Sequence, residues 1–189
     1  MTVLPILISG EPVLHTPAKP VERFDSELRT LVADMIETMH KAPGVGLAGP
    51  QVGKDLRLFV YEWDDEHGVK HQGVAVNPTL WIQPTTIDEL DEDEETEGCL
   101  SLPGLSAPLR RSTHARLEAF DEHGNEFTVE AQGWLARIFQ HEYDHLGGIL
   151  YRDRLIEAER KTIDKASKKE RWGVPGLSWL PGDDEYVAE

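Results

Sequence analysis

Residues 141 to 145 read His-Glu-Tyr-Asp-His. Two histidines four positions apart on a helix stand on one face with Cβ atoms about 6 Å apart, close enough to share one metal ion. Glu142 projects beside them, where a carboxylate can take a proton from metal-bound water without being a ligand. The pentapeptide therefore predicts a metallohydrolase with His141 and His145 as ligands and Glu142 as general base. Trp134, Ile138, His141 and His145 fall on one stripe of a largely apolar helix, where buried imidazoles need partners. An ion supplies one partner to both; the bland alternative is a pair of satisfied core histidines.

A catalytic site of this kind takes three protein ligands and leaves a position open. The long zinc-protease signature asks for Gly148, which is present, and a histidine at 151, where the chain has Tyr151. Two sources of a third ligand remain. One is a downstream carboxylate, Glu157 or Glu159, in a charged stretch typical of an exposed helix. The other is Cys99 in EGCLSLPG (97–104), where Gly98, Pro103 and Gly104 predict an irregular backbone able to present a thiolate inward. Arg137, one turn before His141, and Glu97, two residues before Cys99, are expected to pair and brace the metal loop. Asp144 is a further brace whose direction the sequence leaves open.

Several elements must position these groups. Leu28, Leu31, Val32, Met35, Ile36 and Met39 recur at helical spacing after a cap at Asp25 or Ser26, with a stop at Pro43 to Gly46. GVGLAGPQVG (44–53) follows, a glycine-rich stretch whose backbone can approach a ligand closely. Strands are predicted at 56–63 and 73–78 with a polar loop between them, and a hairpin at 115–121 and 126–132. GWLARIFQHEYDHLGG is apolar around most of its circumference and so belongs inside the protein, with Gly147 and Gly148 to stop it. The expected class is α+β: antiparallel sheets packed around a central buried helix that carries HExxH, with a C-terminal helix. Residues 1–172 are expected to form a single catalytic domain and 173–189 a C-terminal extension, Pro- and Gly-rich, whose Trp179 and Leu180 can pack back, as can Trp172 just before it.

Composition narrows the remaining classes. The chain has 189 residues, 39% of them apolar, and carries 19 Lys and Arg against 35 Asp and Glu, a formal charge of −16. A general nucleic-acid surface is disfavoured, because phosphate binding needs clustered cations. No segment approaches the roughly 20 consecutive apolar residues of a bilayer span, so no membrane partner is expected. A lone cysteine beside a histidine motif fits metal chemistry in a reducing compartment, and the expected location is cytoplasmic. Eight of the ten residues from Asp88 to Glu97 are acidic, which predicts a solvated loop held open by self-repulsion. From Arg152 to Arg171 the balance reverses, with eight Lys or Arg and five acidic residues.

The chain resembles the bacterial peptide deformylases through three motifs in order: GVGLAGPQ (44–51), EGCLSLP (97–103) and QHEYDH (140–145). The likeness extends to ISGEPVLHTPAKPV near the start and to the hairpin before the metal helix. It implies Cys99, His141 and His145 as the ligands of one divalent ion, Fe²⁺ first, with Zn²⁺, Ni²⁺ or Co²⁺ as substitutes. It implies that metal-bound water attacks the N-formyl carbon of the initiator formylmethionine of nascent polypeptides, releasing formate, with Glu142 as base. The Gln51 side chain and the Leu100 N–H become the donors to the oxyanion, the place where fixed dipoles lower a barrier most. Gly49 stands where the family motif usually has alanine, a change expected to loosen the backbone slightly.

Such a substrate needs an apolar pocket for methionine, for which Trp134 and Ile138 are the expected walls. It also needs an edge to pair with, expected around Val45 and Gly46. Members of the family contact the ribosome through a C-terminal helix, which makes the basic segment 152–171 the expected contact here.

Overall fold

A computed structural model describes residues 1–85, 90–92 and 94–182. The elements in chain order are β1 (Ile6–Leu7), α1 (Ser26–Lys41), β2 (Gly46–Ala48), β3 (Leu58–Asp64), β4 (Lys70–Ile82), β5 (Thr96–Cys99), β6 (Leu102–Pro108), β7 (His114–Phe120), β8 (Glu126–Gln132), α2 (Gly133–Leu146), α3 (Glu157–Lys169) and β9 (Ser178–Trp179). The fold is α+β. A five-stranded antiparallel sheet has the order β2-β3-β4-β7-β8, and two smaller sheets pair β5 with β6 and β1 with β9. No helix among the described residues is long and apolar enough to cross a membrane.

The central sheet is covered on both faces, and β3 shows why. Successive side chains on a strand point to opposite faces, so Leu58 and Val60 join Leu28, Val32, Met35 and Met39 of α1 in one apolar cluster. Phe59 and Tyr61 join Leu135, Ile138, Phe139 and Leu146 of α2 in the other. Tyr61 and Phe139 meet edge to face with centroids 4.9 Å apart, a geometry that adds about 0.5–1.5 kcal/mol to the burial itself. Helix α1 starts where Asp25 accepts from the amides of Glu27 and Leu28 at 3.0 and 3.1 Å, satisfying donors that the helix leaves unpaired. Helix α2 stops at Gly147, whose N–H closes on Asp144 at 2.8 Å.

One expectation is refined and two need correction. The stretch around Cys99 is irregular as expected, but inside a hairpin: β5 and β6 pair, and the turn residues Leu100 and Ser101 follow Cys99 directly. Its glycines and proline mark a register shift between Gly98 and Cys99 rather than an absence of pairing. Strand β4 runs beyond both ends of the predicted 73–78, because its outer residues alternate on an exposed face. It bends at Asn77, which adopts a φ of 50° before Pro78. Finally, residues 88, 89 and 93 of the acidic stretch lie outside the described residues, and its end is not solvated: Glu95 pairs with Arg110 at 2.6 Å and Glu97 is buried.

Candidate metal centre

Helix α2 and the β5–β6 hairpin come from separate parts of the chain and meet at three side chains. Cys99 Sγ lies 3.3 Å from His145 Nε2, which lies 3.2 Å from His141 Nε2. Among the described residues this is the group whose ligand atoms all fall within 4.8 Å of one another. Glu157 and Glu159 are not in it; Glu157 pairs with Lys161 on the surface. Three donors converging in a buried site repel one another unless a cation lies between them. A tetrahedral ion with bonds of about 2.0–2.3 Å spaces its donors roughly 3.3–3.6 Å apart, so the cluster has the size and chemistry of a metal site.

The tautomer of His141 is set from behind. Its Nδ1 lies 3.0 Å from Glu97 Oε1, and because a carboxylate only accepts, Nδ1 must donate. That leaves Nε2 as the nitrogen that faces the cluster and would bind an ion there. Burial opposes a charge on His141, but the Cys99 sulfur and the Glu97 carboxylate hold its pKa well above the ordinary imidazole value. Burial and the neighbouring His141 push His145 well below it. His145 Nδ1 has no hydrogen-bond partner among the described residues.

Glu97 is the hub of a buried ion network. It receives Arg137 at 2.9 Å, and Arg111 through two bonds of 2.7 and 3.2 Å. Arg111 also donates to Asp144 at 2.6 Å, and Arg154 clamps Asp144 from the other side at 2.6 and 2.9 Å. Burial raises the pKa of Glu97, but the hydrogen bonds and charges of His141 and Arg111 outweigh it and hold the carboxyl well below its ordinary range. The expected Arg137–Glu97 pair is present, and Asp144 points away from the cluster. Arg111 is the participant that sequence reasoning missed: in the dipeptide Arg110–Arg111 nothing marks which residue turns inward. Tyr151 has a place too. Its ring stacks on His141 with centroids 6.4 Å apart, and its hydroxyl donates to Leu105 O at 3.1 Å.

Glu142 is buried against the cluster, and its Oε2 has no partner among the described residues. Burial pushes its pKa up to about 7. Gly46 is packed onto this carboxylate so closely that a Cβ there would stand 2.8 Å from Glu142 Cδ. Gln51 is oriented by the Ala48 N–H, which donates to Oε1 at 2.8 Å. Its amide nitrogen must then face the cluster, 3.8 Å from Cys99 Sγ and 3.4 Å from Ser101 Oγ. Leu100 follows Cys99 in the turn of the hairpin and lines the same cavity.

A cavity of about 800 Å³ opens onto these groups, lined by Val45, Gly46, Trp134, Ile138, Leu105 and Trp179 among others. All four sequence-predicted subsite residues are thus on its wall. Trp134 stacks on Trp63 at 5.9 Å, with the Arg137 guanidinium 5.3 Å from its ring centre, and stands at the rim, 36% exposed. Gly49 departs from expectation. A Cβ there would lie 2.7 Å from the Leu56 carbonyl oxygen, so its hydrogen lets two backbone segments close together and does not loosen them.

An α+β fold with a buried Cys-His-His cluster and a carboxylate on one apolar cavity defines a candidate metal hydrolase. Comparison with known proteins carries this further. Residues 3–161 match the family described as polypeptide deformylase. A peptide deformylase of Tropheryma whipplei is 49% identical, the match covering 95% of this chain and 94% of that protein. Peptide deformylase 2 of Corynebacterium efficiens is 45% identical, with 98% and 96% covered. Among solved structures, the Ehrlichia chaffeensis peptide deformylase in complex with actinonin superposes with a TM-score of 0.77 at 36% identity, over 90% of this chain and 99% of that one. The Thermus thermophilus enzyme gives 0.74 at 43%, over 89% and 95%. The chain belongs to the polypeptide deformylase family, metal-dependent enzymes of the hydrolase class.

Proposed function

We propose that this protein removes the N-formyl group from the N-terminal formylmethionine of nascent polypeptides and releases formate. One observation carries the reading beyond the family: Cys99 and His141, which cluster with His145, line one apolar-walled cavity together with Glu142, Gln51 and Leu100. In this reading Cys99, His141 and His145 hold one divalent ion, with Fe²⁺ preferred and Zn²⁺, Ni²⁺ or Co²⁺ able to replace it. Bound there, the ion supplies Lewis acidity and makes a water molecule acidic enough to ionise near neutral pH.

The protein's own groups do the rest. Glu142, held near neutrality by burial, accepts the proton of the attacking water and returns it to the departing amine. The Gln51 amide and the Leu100 N–H donate to the oxygen that becomes negative when the formyl carbon is attacked. The peptide lies along β2, an edge strand of its sheet, pairing near Val45 and Gly46 as an added strand. Its methionine side chain fills the apolar wall at Ile138 and Trp134. Residues 1–172 act as the catalytic domain in the cytoplasm, and the basic face of 152–171 meets the ribosome. Co-sedimentation with ribosomes should weaken when the exposed Lys165 and Lys168 are both changed to glutamate.

The test is a paired assay. Formyl-Met-Ala and Met-Ala are incubated anaerobically with iron-loaded protein, and formate and free methionine are measured. Formate from the first, with no methionine from either, is expected. Cleavage of the Met-Ala bond without formate would make the protein a peptidase.

A further inference from the structure

We propose that residues 173–180 form a brace for the metal-binding turn, with Trp179 as a positioning residue for the Leu100 N–H; the proposal rests on the reading above in giving that N–H a catalytic use.

Leu100 and Ser101 form the turn that follows Cys99, and both of their carbonyl groups are captured from outside the hairpin. The Trp179 indole N–H donates to Leu100 O at 2.9 Å, and the Ser9 N–H donates to Ser101 O at 2.8 Å. Both donors belong to one seam between the two terminal segments. Ile6 and Leu7 pair antiparallel with Trp179 and Ser178. Ile8 N donates to Leu177 O at 3.0 Å and Gly173 N to Ser9 O at 2.9 Å, and Gly176 N meets the Glu11 carboxylate. At Gly10 the segments touch so closely that a Cβ would lie 2.7 Å from Gly173 Cα, and its φ of +119° suits no other residue well. Ile6, Ile8 and Trp179 are all buried.

A two-residue strand gains little from its ladder, so burial and the backbone bonds flanking the ladder hold this seam. A buried indole must place its N–H on an acceptor. The acceptor here is the carbonyl of the residue that follows Cys99, the one whose N–H serves as an oxyanion donor in the reading above. With Cys99 held by its place in the cluster and the Leu100 carbonyl held by Trp179, the intervening backbone has little freedom left, and the N–H direction is set. Without the indole bond Leu100 can rock about its own dihedrals. The donor then has to be aligned during the reaction instead of before it, which weakens an interaction made mainly in the transition state.

Trp179→Phe keeps an aromatic ring and removes the N–H. Replacing Trp179 by 3-benzothienylalanine keeps both fused rings as well, and so serves where the phenylalanine protein does not fold. Removing an oxyanion donor outright costs about 10²–10³-fold; here the donor stays and loses its brace, so a fall in kcat of roughly tenfold is expected. KM should stay within about twofold, the split expected for an interaction absent from the ground state. Bound iron should be unchanged, and amide exchange across 97–103, followed by mass spectrometry, should quicken while that across 133–146 does not. Trp172→Phe makes the same chemical change at a buried tryptophan at the base of the segment and should leave kcat unaltered. Loss of thermal stability in the Trp179 variants with exchange and kcat both unchanged would reduce the residue to packing and overturn the proposal. Faster exchange with unchanged kcat in a wild type that does release formate would overturn it equally. A wild type that releases no formate fails the deformylase reading instead, and unchanged exchange at 97–103 then overturns the brace by itself.

Discussion

Replacing Gly46 by alanine should disable the site without emptying it. The added methyl would stand 2.8 Å from Glu142 Cδ and 2.9 Å from Cγ, with Oε1 closer still, whereas ordinary contact begins at 3.4 Å. The carboxyl group must therefore retreat by about 0.6 Å at Cδ, out of the buried position it holds beside the cluster. A displacement of this order, about 1 Å at the oxygen, costs roughly 10²-fold where a proton must be taken along a fixed line. The three atoms nearest the methyl all belong to Glu142 and none to the cluster residues, so metal content should be unchanged. Stopped-time assays of formate release from formyl-Met-Ala, with iron measured on the same preparations, give both quantities. A kcat/KM within about threefold of wild type at full metal occupancy would show that Glu142 is not held as tightly as the packing implies, and the reasoning would fall.

Three further outcomes follow from the packing and the charges. Arg111→Met strips the guanidinium from Glu97 and Asp144, but Arg137 and Arg154 remain to each, so the loss should sit near the lower end of the roughly 3–5 kcal/mol for breaking a buried pair. That corresponds to a drop in Tm of about 6–12 °C for a chain of this size, and a change under about 2 °C in calorimetry would contradict it. Glu97 has a folded-state pKa depressed below its ordinary 4.5, so its contribution is complete above that pH and is lost as the pH falls further. Urea midpoints of the chelated protein should therefore decline below about pH 4.5, and less steeply in Glu97→Gln; parallel curves would remove Glu97 from the cause. Gly49→Ala places a methyl 2.7 Å from the Leu56 carbonyl and should destabilise by about 1–3 kcal/mol, so an unchanged or raised Tm would mean that the 54–58 segment yields easily.

What could be read from the sequence was what periodicity encodes. The stripe of α1, the alternation of β7 and β8 and the i, i+4 histidines of α2 each state a geometry within a few residues, and the structure contains them. Cys99 was harder, because its partners lie more than forty positions away, and nothing local says that a thiol between turn-formers will face a particular helix; the family motifs supplied that link. The irregular backbone around Cys99 was read, but not the β5–β6 pairing that contains it, since Gly98, Pro103 and Gly104 look the same at a bulge as in a loop. Arg111 left no signal at all, and for Trp179 the sequence marked only that it can pack back, not which group its indole meets. Their roles depend on which carboxylate or carbonyl stands opposite after folding, a relation between distant segments that composition and spacing do not carry.

The central claim is that Glu142 acts as the base beside an ion held by Cys99, His141 and His145. Formate release from formyl-Met-Ala, measured anaerobically with iron-loaded wild type and Glu142→Ala and with metal content determined for both, tests it most directly. Equal iron and a loss of at least about 10²-fold in kcat for the variant are predicted. Equal iron with undiminished formate release would contradict the mechanism.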